Sequence, residues 1–376
     1  MHIHLSARPR LFASAITLGV LVLQPVPAVA TTQGGGVFHQ RNLVSDIPGL
    51  ARVTDANLVN PWGLAHDPTG PWHVADNGTG ASTQYKSNGQ DVPPVVTIPP
   101  PSVAPGATAA PTGTVFNTTS DFVVTKGSVS APGQFIFATE DGTISGWNPN
   151  VELTHAILSV DNANVTSGPV YKGLAMGHNR SGNFLFAANF RFGTVDVYNA
   201  TFAKVGSFTD SQLLKDCPLP NQCFAPFGIQ NIAGNLYVTY ALQNAAKHDD
   251  VAGPGNGFVD VFDTTGNLIR RFASHGPLNS PWGLAVAPAN FGKFSNDVLV
   301  GNFGDGHINA FDPSTGVFLG QLRDENGQAI TNNGLWGVAF GNGGLAGDTN
   351  TLFFCAGIND EADGLFGSIE PEESDR

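Results

Sequence analysis

Oxygen-bearing side chains recur at regular places along the chain. Asp76-Asn77, Glu140-Asp141, Asn189, Asn302 and Asn359-Asp360 each follow a short apolar run, and the segment from Asn244 to Asn256 takes the same place in a longer form. Carboxylate and carboxamide oxygens converging from several strand ends would suit a hard cation such as calcium, or the hydroxyls of a sugar or lactone. The plainer alternative is that Asn and Asp open tight turns. Recurrence in every repeat favours turns, because a chemical site breaks symmetry. Two places do break it. His248-Asp249-Asp250 sits in a long insertion, Gln243 to Gly257, of the kind that often carries function in compact folds. Asn359 to Glu370 has the oxygen spacing of a calcium loop, with Gly364 at its sixth position. Its first residue is Asn, its third is Glu and its flanks read as strands, which argues against an EF-hand and leaves a local calcium-binding turn. The candidate ligand contacts are therefore Asp76, Asn77, Glu140, Asn189, His248, Asp249, Asp250, Asn302, Asn359 and Asp360. Glu140, Asn189 and Asn302 are the provisional metal ligands, with calcium the possible cofactor. No GxSxG, HExxH or P-loop is present, and no Rossmann fingerprint stands in context.

The elements that position these residues follow from composition and repeats. Among 376 residues there are 46 Gly and 26 Pro, and only 12% are charged, which excludes coiled coils and charged helical bundles. The 26 Phe and 5 Trp give material for a core. A formal charge of −13 argues against nucleic acid or an anionic membrane as partner. The motif Pro61-Trp62-Gly63-Leu64-Ala65 returns around Gly173, Gly228, Gly283 and Gly337, at gaps of 110, 55, 55 and 54. One copy is thus missing near position 118, and Asn117 to Val124 fills the slot in degenerate form. Glycines at 80, 142, 193, 257, 306 and 364 mark a second landmark, followed by alternating strands such as Thr194-Val195-Asp196-Val197-Tyr198. Six units of about 55 residues, each of four short antiparallel strands, predict an all-β, six-bladed β-propeller. The sixth unit stops after its third strand, and residues 41–46 resemble the missing fourth. The N-terminal strand is expected to join the last blade and close the ring.

The Trp-Gly openings resemble NHL-type propellers. The stretch from Lys247 to Phe262 is similar to a narrower family of exported bacterial propellers, uncharacterised in function, some of which carry PEP-CTERM tails. That tail is lacking here. The resemblance implies the fold and assigns no activity. At fold level, six-bladed propellers of the gluconolactonase type hold a divalent cation in the channel through Glu, Asn and Asp, and Glu140, Asn189, Asn302 and Asp76 offer such atoms.

Residues 1–30 read as a secretory signal, with Arg8 and Arg10 before an apolar run and Ala28-Val29-Ala30 as the cleavage site. Residues 31–40 read as a flexible mature N-terminus, 41–370 as one propeller domain and 371–376 as a disordered tail. Export agrees with pairing of Cys217 and Cys223 across a short Pro-rich loop, with Cys355 a buried free thiol. The expected protein is a secreted monomer without a stable membrane anchor once the signal is cleaved. It would bind a protein or small molecule through its channel face. The rivals are a metal-dependent lactonase-type hydrolase and a structural component of the cell envelope or matrix.

Overall fold

The computed structural model describes residues 36–372 apart from 164–166, 214, 216 and 219–221. The expected signal segment lies outside the described residues, as does most of the expected tail. Six antiparallel sheets of successive strands make up the chain, in all-β architecture with one 3-10 turn at Gly292–Phe294. Their inner strands are Pro61–His66, Pro111–Phe116, Tyr171–Asn179, Phe224–Ile232, Pro281–Val286 and Leu335–Phe340. The fifth blade shows the plan: Pro281–Val286, Val298–Asn302, Ile308–Phe311 and Phe318–Gln321 pair in chain order. Third strands begin just after the second set of landmark glycines, as the alternation requires.

The pattern of burial explains the shortage of charge. Second and third strands such as Val298–Asn302 and Phe258–Phe262 are buried throughout, because both faces of each sheet pack on neighbouring blades. Only outermost strands such as Phe318–Gln321 are open to solvent. One inter-blade core joins Ala175, Phe186 and Val195 of the third blade to Ile229, Val238 and Tyr240 of the fourth. Burying side chains of this size contributes about 1.5–3 kcal/mol each, so the blades are held together mainly by this packing.

The ring closes as the sequence implies. Phe38–Ser45 pairs antiparallel with Leu365–Pro371, from Phe38 opposite Pro371 to Ser45 opposite Leu365. The strand begins at Phe38, three residues before the expected start, and Phe38 and Val44 are fully buried. Val53–Thr54 adds a short parallel flank outside it. At the other end, Pro371 belongs to the strand rather than to a tail.

The second blade corrects the repeat alignment. Its inner strand is Pro111–Phe116 with the landmark at Gly113, so the gaps are 50 and 60 rather than 55. Val123–Lys126 instead pairs with Val129–Pro132 in a separate hairpin between the blade's first two strands. The true copy carries Thr112 where four other copies carry an aromatic residue, and the added hairpin restores the total length. The geometry leaves no doubt about Gly113. A Cβ there would meet the Leu174 backbone nitrogen at 2.2 Å, and one at Gly228 would meet the Trp282 carbonyl at 2.0 Å. Inner strands of adjacent blades approach so closely around the channel that a side chain is excluded.

Cys217 and Cys223 form a disulfide in the connection between the third and fourth blades, with Cα atoms 4.3 Å apart. Cys355 is free and buried in the second strand of the sixth blade. Among the described residues no helix is long and apolar enough to cross a membrane.

Candidate functional site

The residue before each channel glycine is Trp62, Thr112, Lys172, Phe227, Trp282 or Trp336, one from each blade. Aromatic members close the channel at this level. Trp62 stacks on Trp336 with ring centres 3.4 Å apart, Trp282 meets both edge-on at 6.1 and 5.8 Å, and Phe227 tilts against Trp336 at 5.6 Å. Thr112 and Lys172 are the exceptions, and Lys172 places an ammonium there on a side chain only 3% exposed. Its Nζ lies 5.1 Å from the Trp62 ring centre and 5.9 Å from that of Phe190, so the rings offer it their negative faces. Glu140 pairs directly with it, and Asp249 Oδ1 lies at 3.4 Å. Burial alone would lower the lysine pKa, but the charges of Glu140 and Asp249 outweigh it and hold the pKa above its usual value. Lys172 therefore stays charged.

A line of polar contacts crosses the face from this centre. The Trp336 indole donates to Asn60 Oδ1 at 3.1 Å, Asn60 donates to Asn77 Oδ1 at 3.3 Å, and Asn77 donates to Glu140 Oε2 at 3.0 Å. On the far side, His248 Nδ1 meets Asp249 Oδ1 at 2.7 Å. The fourth-blade insertion presents this pair because Asn244 pins it: the Asn244 N–H donates to the Asp249 carbonyl at 2.8 Å, and Asn244 Oδ1 accepts from the His248 N–H at 3.1 Å. The hydrogen bond from His248, with Lys172 adding its charge, holds Asp249 down at about 2. Burial raises Asp250, with Ser280 and Lys172 opposing it. Glu361, from the sixth blade, is pushed up to about 7 by burial and then by the charge of Glu140.

Of the expected residues, Asn77, Glu140, His248 and Asp249 are brought together, with Asp250 in electrostatic reach of Lys172. Others serve their own blades. Asp76 is buried, accepts from the Thr83 N–H at 2.8 Å, and its carboxyl is raised well above its usual range by burial. Asn189 donates to Asp196 at 3.0 Å, and Asn302 donates to the Pro277 carbonyl at 2.7 Å and to Asp305 at 3.1 Å. Glu140, Asn189 and Asn302 are thus engaged with separate partners instead of one another. Among the described residues, the group of His, Cys, Asp and Glu with ligand atoms within 4.8 Å of one another is Glu140, His248 and Asp249. Two of its three members already hold the Lys172 ammonium.

The spacing from Asn359 to Glu370 does not wrap around one point. Asn359 donates to Asp363 at 2.8 Å, whereas Glu370 lies along the closing strand near Thr351 and Arg41. Asn359 and Asp360 do line a cavity of about 480 Å³ with Phe303, Asp305, Asn333 and Glu361. Lys172 and Glu361 belong to the candidate site, although neither is among the ligand contacts expected from sequence. Lys172 carried a signal, being a cation where four of six repeats place an aromatic ring. Glu361 carried only its place as the third residue of the calcium-loop spacing, since its environment arises from three other blades.

A six-bladed propeller with a polar, closed channel face is the class these features define. Solved structures with this fold include a catalytically inactive virginiamycin B lyase from Staphylococcus aureus with quinupristin, 12% identical, TM-score 0.50, covering 89% of this chain and 99% of that one. A gluconolactonase from Xanthomonas campestris is also 12% identical at TM-score 0.50, covering 84% and 87%. At such identity the likeness concerns fold alone. No family model matches the chain. Two uncharacterised proteins of Acanthamoeba polyphaga mimivirus are 32% identical over 328 residues and 30% identical over 351. These alignments span 87% and 93% of this chain and 78% and 88% of the viral proteins, and the chain belongs to their family.

Proposed function

We propose that this is an exported propeller that binds a small polar ligand at its channel face, around the Lys172 cluster, without a resident divalent ion. The single observation that carries this reading is the buried ammonium of Lys172, with Glu140 and Asp249 on it, at a position otherwise given to packing. A divalent ion on Glu140, His248 and Asp249 would lie against that ammonium, and like charges at such range repel strongly. The disulfide and the resemblance to exported propellers support export. The test is a thermal-shift screen of small polar compounds on the wild type and on Lys172→Met, with metal content measured on the same preparation. A stabilising compound whose effect is lost in the variant, and no stoichiometric ion, is the expected result. One tightly held ion that disappears in Glu140→Ala would overturn the metal-free reading.

A hydrolase is the second reading, favoured by Glu361. A carboxyl near 7, within electrostatic reach of Glu140 and Asp249, can accept or donate a proton at neutral pH. Lactone hydrolysis that is abolished in Glu361→Gln would establish it; no turnover over a panel of lactones would remove it.

A further inference from the structure

The cavity beside Glu361 has an unbalanced lining. Three carboxyl groups, Asp305, Asp360 and Glu361, face it with Asn333 and Asn359, and no basic side chain does. Asp305 is satisfied by Asn302, Asn279 and the His307 N–H. Asp360 and Glu361, by contrast, accept no side-chain hydrogen bond within the described chain, although the Glu361 side chain is partly buried. One wall is aromatic: Phe303 lines the cavity and stacks on Trp336 at 4.1 Å between ring centres. Among the described residues, these three carboxylates do not form a group whose ligand atoms all lie within 4.8 Å of one another. The volume suits an organic molecule, and a cavity lined by both an aromatic ring and carboxylates without side-chain partners is an environment that can select a cationic head group.

We propose that this cavity binds the ammonium group of a small organic cation, between the ring of Phe303 and the carboxylates of Asp360 and Glu361. This goes beyond the proposed site around Lys172, since Lys172, Glu140 and Asp249 do not line this cavity. The field supports it. Glu140, Asp249 and Asp250 all act on Glu361 in the sense that disfavours its charge, with Lys172 alone opposing them. An arriving cation relieves that repulsion, so binding releases the Glu361 proton and strengthens as pH rises through about 7.

The experiment is calorimetric titration of the full chain with choline and with ethanolamine, using dimethylbutanol as the uncharged carbon isostere of choline. At least one of the two cations should bind about tenfold more tightly than the isostere, the scale of a desolvated cation–π contact. Affinity should weaken about tenfold from about pH 8 to pH 6, as a carboxyl titrating near 7 requires. Glu361→Gln should abolish the pH dependence, and Phe303→Leu should remove most of the preference for charge while keeping the fold. Equal binding of cation and isostere, or a preference that survives both substitutions, overturns the proposal. Failure of both cations to bind overturns it too, and the compound screen on Lys172→Met then shows separately whether the channel face binds anything else.

Discussion

A charged amine among indole rings is stable only while its carboxylates remain. Glu140→Gln leaves Lys172 with the mostly exposed Asp249 as its one carboxylate, and the expected cost is about 3 kcal/mol in urea unfolding, typical of a broken buried pair. Lys172→Met keeps the stem and removes the charge, so the loss should be smaller, about 1 kcal/mol, with Asn77 still bound to Glu140. His73 makes the opposite case. It is 3% exposed, stacks on Phe135 at 3.5 Å, and burial lowers its pKa from 6.5 to about 3. The unfolded chain therefore binds the proton first. Stability from this group is complete above about pH 6.5 and is lost as pH falls toward 3. The slope should reach about 1.4 kcal/mol per pH unit. His73→Phe should flatten that part of the stability–pH curve, measured by denaturant titration at each pH. Lys172 left a trace in sequence, as the cation at a position that four repeats give to an aromatic ring, whereas His73 left none: it is one of several scattered histidines, and its burial comes from the second blade packing on the first.

Strands and landmarks were legible because each repeat reuses the same local chemistry. Gly-centred openings, three of them Trp-Gly, and alternating third strands mark five blades plainly. The second blade escaped because Thr112 replaces the aromatic residue before its glycine, and an extra hairpin offset the spacing. What periodicity could not reveal is which strand ends converge. Asn189 and Asn302 look equivalent to Glu140 along the chain, yet each closes a turn within its own blade. Close approach of inner strands gives a direct test. Gly228→Ala places a methyl group 2.0 Å from the Trp282 carbonyl, so adjacent blades must separate. A loss of about 2–3 kcal/mol is expected, the scale of overpacking, read as a lower urea midpoint with unchanged slope.

At the scale of the whole molecule, each blade shares its core with two neighbours, and the ring should unfold in one transition. Calorimetric and van't Hoff enthalpies are expected to agree for the closed ring. A variant lacking residues 36–45 removes Phe38 and Val44 from their cores and exposes the edge of Leu365–Pro371. It should show a lower, divided transition and concentration-dependent association in sedimentation velocity. The seam also sets a timetable for synthesis. Ser45 finds its partner carbonyl at Gly364, 319 residues downstream, so among the described strands Phe38–Ser45 waits longest for its antiparallel partner. Until the final strand emerges, the growing chain carries a bare β edge at its front. The seam is thus a moment of vulnerability, when an unpaired edge is open to association with other chains.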